Sequence, residues 1–160
     1  MIKVNLGCGW RDFGKDWHHV DGGDYKHLDS KDIFNLPFED NSVDLIYASH
    51  VIAYFPRQVI SDILDSWKRK LKPGGILRLG TPDFSVMNTL YEDAKCSLDS
   101  ILGPLYGRMI MDDETIYHKT VYDYNSLSHH DDHSQAYIPH MDKENGTLIS
   151  LNMQATKKGL

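Results

Sequence analysis

Gly7-Cys8-Gly9 follows directly on the alternating apolar residues Ile2, Val4 and Leu6, the pattern of a buried parallel strand that opens into a ligand-binding turn. Glycine at such a turn leaves no Cβ between backbone and ligand and permits positive φ. Two glycines of the dinucleotide fingerprint are present, and Phe13 stands near where the third would fall, so a plain strand-to-loop turn is the competing explanation. Asp21 ends the next apolar stretch, Trp17 to Val20, and precedes Gly22-Gly23. An acid there can accept hydrogen bonds from a ribose diol; the alternative is a turn aspartate. A second cluster, His129-His130-Asp131-Asp132-His133 with His140 and Asp142, has ligand types that suit zinc or another first-row metal. Its spacing fits no zinc motif and no cysteine joins it. It reads as a solvated acidic loop or a substrate-facing edge, and no metal is expected.

The elements that must position these residues follow from periodicity. Only eleven residues lie between Gly9 and Asp21, whereas a dinucleotide fold usually leaves ~20 before its ribose-binding acid. The first crossover helix is therefore reduced to a loop. Val43, Leu45, Ile46 and Ala48 mark a buried strand, with Asp44 as a structural cap at its entrance. After Pro56, the positions Val59, Ile60, Ile63, Leu64, Trp67 and Leu71 trace one helical face,. Lys68, Arg69 and Lys70 crowd its last turn, where cations offset the helix dipole. Pro73-Gly74-Gly75 ends the helix and Ile76 to Thr81 returns as a strand. Strand, helix and strand in this order predict a right-handed parallel unit.

Composition narrows the class. A chain of 160 residues with 41% hydrophobic and 25% charged residues suits one soluble domain with a real core,. A formal charge of −6 argues against phosphate-backbone binding,, so no nucleic-acid partner is expected. No apolar run reaches membrane-spanning length and the N-terminus shows no signal-peptide pattern. A disulfide between Cys8 and Cys96 would distort the glycine turn, so the expectation is a reduced, cytoplasmic protein without a membrane partner.

The ordered series VNLGCG, HVD, DIFNLPFEDNSVDLIYASHV and LKPGGILRLGTPDF resembles the class I S-adenosylmethionine-dependent methyltransferases, and more narrowly a group of small bacterial, methyltransferase type 11-like members. The resemblance covers residues 2 to about 84 and, more loosely, the remainder. It implies a Rossmann-like, doubly wound, mostly parallel α/β sheet in a single domain, 1–160, with residues 1–84 as cofactor-binding half and 85–160 as cap and C-terminal strand region. It further implies S-adenosylmethionine as cofactor. Gly7, Cys8 and Gly9 match the motif whose backbone lies against methionine and ribose. Asp21, with Gly22 beside it, matches the ribose-binding acid. Asp32, with Ile33 beside it, matches the acceptor for the adenine amino group, and Ser49 and His50 match the segment facing the methionine end.

Three departures accompany the match. Asn5 stands where the family usually has an acid, and can still hydrogen-bond the cofactor's ammonium without supplying charge. The missing first helix removes a helix N-terminus near the methionine carboxylate; Trp10, Arg11 and Lys15 are the substitutes, with Arg11 the better carboxylate fork. Ala53 stands where many relatives have glutamate. Farther along, Val86, Leu90 and Tyr91 begin a helix, and Ile101 to Gly107 is a broken apolar stretch read as a cap over the site. Tyr122 to Leu127 resembles the start of the family's late helix, and the helix and strand that normally follow do not fit before His129: either the sixth strand is missing, or the sequence joins segments that flank an absent piece. Thr147 to Ala155 is the final strand, with Ile149, Leu151 and Met153 on its covered face. As a sheet edge without charge or proline inside, it predicts either homodimerisation or a cover from the Asp131 to Met141 loop.

Methyl transfer asks the protein mainly to align nucleophile and sulfonium, with a base needed only for a protonated nucleophile. His50 is the base candidate because its ordinary pKa lies near neutrality; its alternative role is packing beneath the cofactor. Tyr54, Tyr106, His118 and Tyr122 are the candidates for the acceptor pocket. The predicted function is methyl transfer to a small-molecule or glycan acceptor. The alternatives are an S-adenosylmethionine-binding protein without transferase activity and an NAD-dependent Rossmann enzyme, which the absent third glycine disfavours.

Overall fold

The structure, a computed structural model, describes residues 1–111, 113–128 and 149–159. Its centre is a five-stranded sheet made by β1 (Lys3–Leu6), β2 (His18–Val20), β3 (Val43–Ser49), β4 (Leu71–Pro82) and β7 (Ser150–Thr156). The order is β2-β1-β3-β4-β7, with the first four strands parallel and β7 antiparallel to β4. Parallel central strands must be buried on both faces, and Val4, Leu6, Val20, Ile46 and Ala48 are all fully buried. No helix stands between β1 and β2, as the eleven-residue spacing requires. Among the described residues β7 is the outermost strand on its side, and no helix is long and apolar enough to cross a membrane.

The helix α1 (Ile60–Lys70) packs Ile60, Ile63, Leu64 and Trp67 into the core, the face that the spacing marked, except that Val59 lies outside the helix and is partly exposed. Its two polar contacts matter more for function. Trp67 Nε1 donates to Ile33 O at 2.8 Å and Ser66 Oγ to Phe34 O at 2.7 Å. These bonds pin an otherwise irregular segment against the helix and so fix where Ile33 and Phe34 stand. Lys157 closes the C-terminal end of α1, its Nζ donating to Leu71 O and to Asn41 Oδ1, each at 2.7 Å, as orphan carbonyls at a helix end demand. Asp44 is structural: it accepts from Ile2 N at 2.6 Å and Lys72 Nζ at 3.0 Å. These two partners hold its carboxyl below the usual range.

Several expectations need correction. The strand after α1 begins at Leu71, not Ile76, because Val43 pairs with Leu71 and Leu45 with Ile76, so Lys72 to Gly75 bulges out of the ladder. The stretch Ile101 to Gly107 is not a broken cap but most of α3 (Leu98–Tyr106), which follows α2 (Phe84–Glu92) and has no buried residue. Proline is accommodated within its last turn. The roof over the sheet comes instead from a hairpin, β5 (Met109–Met111) with β6 (Glu114–Ile116). The late helix α4 is short, Tyr124–Ser128. On β7 both faces are covered: Leu151 and Met153 are buried, and so are Ser150 at 8% exposure and Asn152 at 7%. The polar face is satisfied locally, as Asn152 Nδ2 donates to Ser150 O at 3.2 Å. The His129–His133 cluster, His140, Asp142 and the proposed covering loop lie outside the described residues.

Candidate active site

Parallel strands of an open sheet place their ligand crevice beyond their carboxyl ends. A cavity of about 290 Å³ lies there, bounded by Gly7 after β1, Asp21 and Gly22 after β2, and His50 and Val51 after β3. That volume stands at the lower end for ligand pockets, roughly 300 Å³ upward. Ile33, Phe34 and Phe55 form an apolar side, and Met109, Met111 and Ile116 close the top.

The glycine turn is held from below. Gly7 N donates to Val20 O at 2.7 Å, with φ at +65°. Gly9 has φ of +55° and donates to Asp21 Oδ2 at 2.8 Å, while Gly23 N donates to Asp21 Oδ1 at 2.7 Å. Asp21 is thus 1% exposed with one amide on each oxygen. A carboxylate has about four acceptor sites, so capacity remains toward the cavity. Asn5 is buried behind the turn and donates weakly to Arg11 O, at 3.4 Å. Cys8 is buried beside His27, Sγ to Nε2 being 3.6 Å.

Burial first, and then the Asp21 charge, push the Cys8 thiol up to about 12 from its ordinary 9.0. The thiol is protonated at neutral pH and is no nucleophile. Iodoacetamide at pH 8 should therefore modify the half-buried Cys96 and spare Cys8 in the folded protein, both reacting in urea; peptide mapping checks this. A thiol whose folded pKa lies above its unfolded value contributes stability that is present below about 9 and lost as pH rises toward 12,. The buried Tyr122 phenol, also pushed to about 12 by burial, acts in the same direction. Denaturation curves should show falling stability on that alkaline limb.

His50 follows β3 with φ of +57°, an unusual conformation for a non-glycine residue and one that tends to mark functional sites. Its backbone N–H donates to Gly80 O at 2.7 Å, and its Nε2 lies 3.4 Å from Ser150 Oγ on β7. Ser49 precedes it as the last residue of β3, paired in register with Gly80.

The remaining sequence candidates divide. Gly7, Asp21, Gly22, Ile33, His50 and Tyr54 meet on the cavity wall. Asp32 does not: it is exposed, and its Oδ1 accepts from Phe34 N at 2.9 Å and Asn35 N at 2.8 Å, an aspartate turn,. Arg11 is off the wall too, its guanidinium 5.1 Å from the Trp10 ring centre. Tyr122 belongs to the core, 4% exposed, with its hydroxyl unpartnered among the described residues. Tyr106 is exposed on α3. His118 stands behind Tyr54, ring centres 4.6 Å apart, with Nδ1 donating to Leu105 O at 3.0 Å. Burial lowers its pKa. Burial also raises the Tyr54 phenol, so both rings are neutral near pH 7. Sequence reasoning missed Phe34, Phe55 and the roof methionines. Their only signal was the alternation of Met109 and Met111 after Gly107.

Residues 14–79 match the methyltransferase domain family. No curated protein matches the sequence. Among solved structures, a Methanosarcina mazei S-adenosylmethionine-dependent methyltransferase is similar at TM-score 0.62 and 15% identity, over 98% of this chain and 92% of that one. A Haloferax volcanii methyltransferase, in complex with the Trm112 methyltransferase activator, superposes at TM-score 0.57 with 16% identity, over 99% and 82%. A Burkholderia thailandensis 1,6-didemethyltoxoflavin-N1-methyltransferase, solved with its substrate and S-adenosylhomocysteine, gives TM-score 0.59 at 10% identity, over 99% and 71%. The sheet order and these superpositions agree: the chain takes the Rossmann-like fold of the class I methyltransferases, and residues 14–79 of it match the methyltransferase domain family.

Proposed function

We propose that the protein transfers a methyl group from S-adenosylmethionine to a small-molecule or glycan acceptor, with the cavity at the ends of β1, β2 and β3 as its site. The observation that carries this reading is the buried Asp21 carboxylate, oriented by two backbone amides at the cavity wall beside Gly7. A diol needs an acceptor held in place, and a neutral base needs apolar walls such as Ile33, Phe34 and Phe55. The residues present fit that cofactor.

When bound, S-adenosylmethionine supplies a methyl group activated by a positive sulfonium. The chain's own part is positioning. Gly7 and Gly9 bring backbone close to the ligand, Asp21 accepts from the ribose hydroxyls, and the apolar side excludes water from the adenine. The Cys8 peptide and Asn5 belong to the same turn and hold its shape. Asp32 supports Ile33 and Phe34 through its own turn rather than reaching the ligand. His50, whose ring reaches from β3 to Ser150, is the group that takes a proton from the acceptor where the acceptor has one to lose. The two unpaired cysteines fit a reducing cytoplasm,.

Calorimetry with S-adenosylhomocysteine and NADH tests the cofactor: binding of the first and not the second is expected, and the reverse overturns the reading. Radiolabelled methyl transfer into a metabolite extract then separates a transferase from a mere binder. The outer edge of β7 carries the homodimer reading. Slow amide exchange along Ser150 to Met153 in a species of twice the monomer mass supports it, and fast exchange in a monomer overturns it.

A further inference from the structure

The cavity wall carries a further charge at Lys119. Lys119 follows β6, and its backbone N–H donates to Ala53 O at 2.7 Å, with Thr120 N donating to the same oxygen at 3.3 Å. Its main chain is thereby tied to the turn after β3, while its side chain is exposed at the cavity rim. Among the described residues Lys119 is the one lysine or arginine on that wall, and its ammonium has no hydrogen-bond or ion-pair partner there. The acid on the same wall, Asp21, is the group assigned above to the ribose, and each of its oxygens also holds a backbone amide. The same wall carries Tyr54 and the apolar roof of Met109, Met111 and Ile116.

We propose that Lys119 recognises a carboxylate or phosphate on the acceptor, and that the acceptor is an organic anion with an apolar body seated under the β5–β6 roof. The inference rests on the methyltransferase reading of this cavity and narrows its substrate class. A chain of net charge −6 repels anions at long range,. An acidic protein that takes an anionic substrate therefore needs a local cation at the mouth, and a lysine serves as a mobile point charge. The position also separates the roles. Lys119 stands just past the roof hairpin rather than on the glycine turn.

The test uses the protein saturated with S-adenosylhomocysteine, labelled with ¹³C in its methionine methyl groups, and titrated with benzoate or benzyl alcohol. Benzoate is expected to shift the Met109 and Met111 methyl resonances and to bind about fivefold more tightly than benzyl alcohol, the upper end for an exposed ion pair. Lys119→Gln, at an exposed position, should abolish that preference and leave the affinity for S-adenosylhomocysteine unchanged. Equal binding of the two probes by the unmodified protein, or a preference that survives Lys119→Gln, overturns the proposal. So does a Lys119→Gln protein that loses affinity for S-adenosylhomocysteine but not for 5′-methylthioadenosine, because the lysine would then serve the cofactor's own carboxylate. Failure of the unmodified protein to bind S-adenosylhomocysteine is a separate result, which removes the methyltransferase reading and the inference with it.

Discussion

Gly7→Ala should destabilise the fold by about 2–5 kcal/mol, overpacking at about 1–3 kcal/mol adding to left-handed backbone strain of about 1–2 kcal/mol. An added Cβ would stand 2.0 Å from Val51 Cγ2 and 3.1 Å from Val51 Cβ, with φ at +65°. Neither side can give easily. Gly7 is tied to Val20 through its N–H, and Val51 is buried in the core. Urea denaturation of Gly7→Ala, Val51→Ala and the double variant separates the terms. The double variant should recover the overpacking part and keep the strain. Additive losses would mean that the two residues do not touch. Gly9→Val makes the contrast: its Cβ direction meets only Tyr25 Oη, at 4.0 Å. That variant should keep the core strands and lose S-adenosylhomocysteine binding, because the space it fills is the ligand's. Retained affinity would put the cofactor elsewhere.

Asp21→Ala should weaken S-adenosylhomocysteine binding about 5- to 150-fold, the range for losing a hydrogen bond to a charged acceptor. It should also cost folding stability, because the amides of Gly9 and Gly23 lose the acceptor they share. Asp21→Asn distinguishes the two losses. The amide side chain keeps one acceptor oxygen and turns a donor toward the other N–H, so binding and stability should both fall to intermediate values. Calorimetry and thermal melts on the same preparations give both numbers. Unchanged affinity in a folded Asp21→Ala protein would remove Asp21 from the site.

The parts of this molecule that are legible in its sequence are those where one residue type has one physical use. The helical face from Ile60 to Trp67 could only be buried, and the strand, helix and strand around it could only be parallel. Asp21 stood out because an acid at a strand end beside two glycines suits a diol, and the structure places it on the cavity wall while Gly23 N donates to its Oδ1 as in a turn aspartate. Asp32 also closes a turn of its own but lies off the cavity wall, a difference that local sequence does not carry. Tyr122 read as a pocket residue because aromatic side chains serve cores and pockets alike. Its place in the core depends on packing against distant elements. The roof was hidden for a different reason. Strands of three residues, Met109–Met111 and Glu114–Ile116, are too short for periodicity to stand out, and methionines facing a cavity look like methionines facing a core. Lys119 escaped because an exposed lysine is unremarkable until a cavity is found beneath it.

The ladder between β4 and β7 joins residues as far apart as Ile76 and Thr156, and it brings Ser150 to His50. Its consequence is one of timing. The contacts that shape the glycine turn, between β1, β2 and β3, close shorter loops than the one that seats β7, and longer loops close at greater entropic cost. A chain that pairs β1 to β4 before β7 arrives spends an interval with the β4 edge bare and the His50 ring without its neighbour on β7,. During that interval Leu77 and Leu79 lie on an unpaired strand, where self-association competes with the arrival of β7. The pairing that closes the longest loop in the sheet is thus also the one that brings Ser150 beside the imidazole.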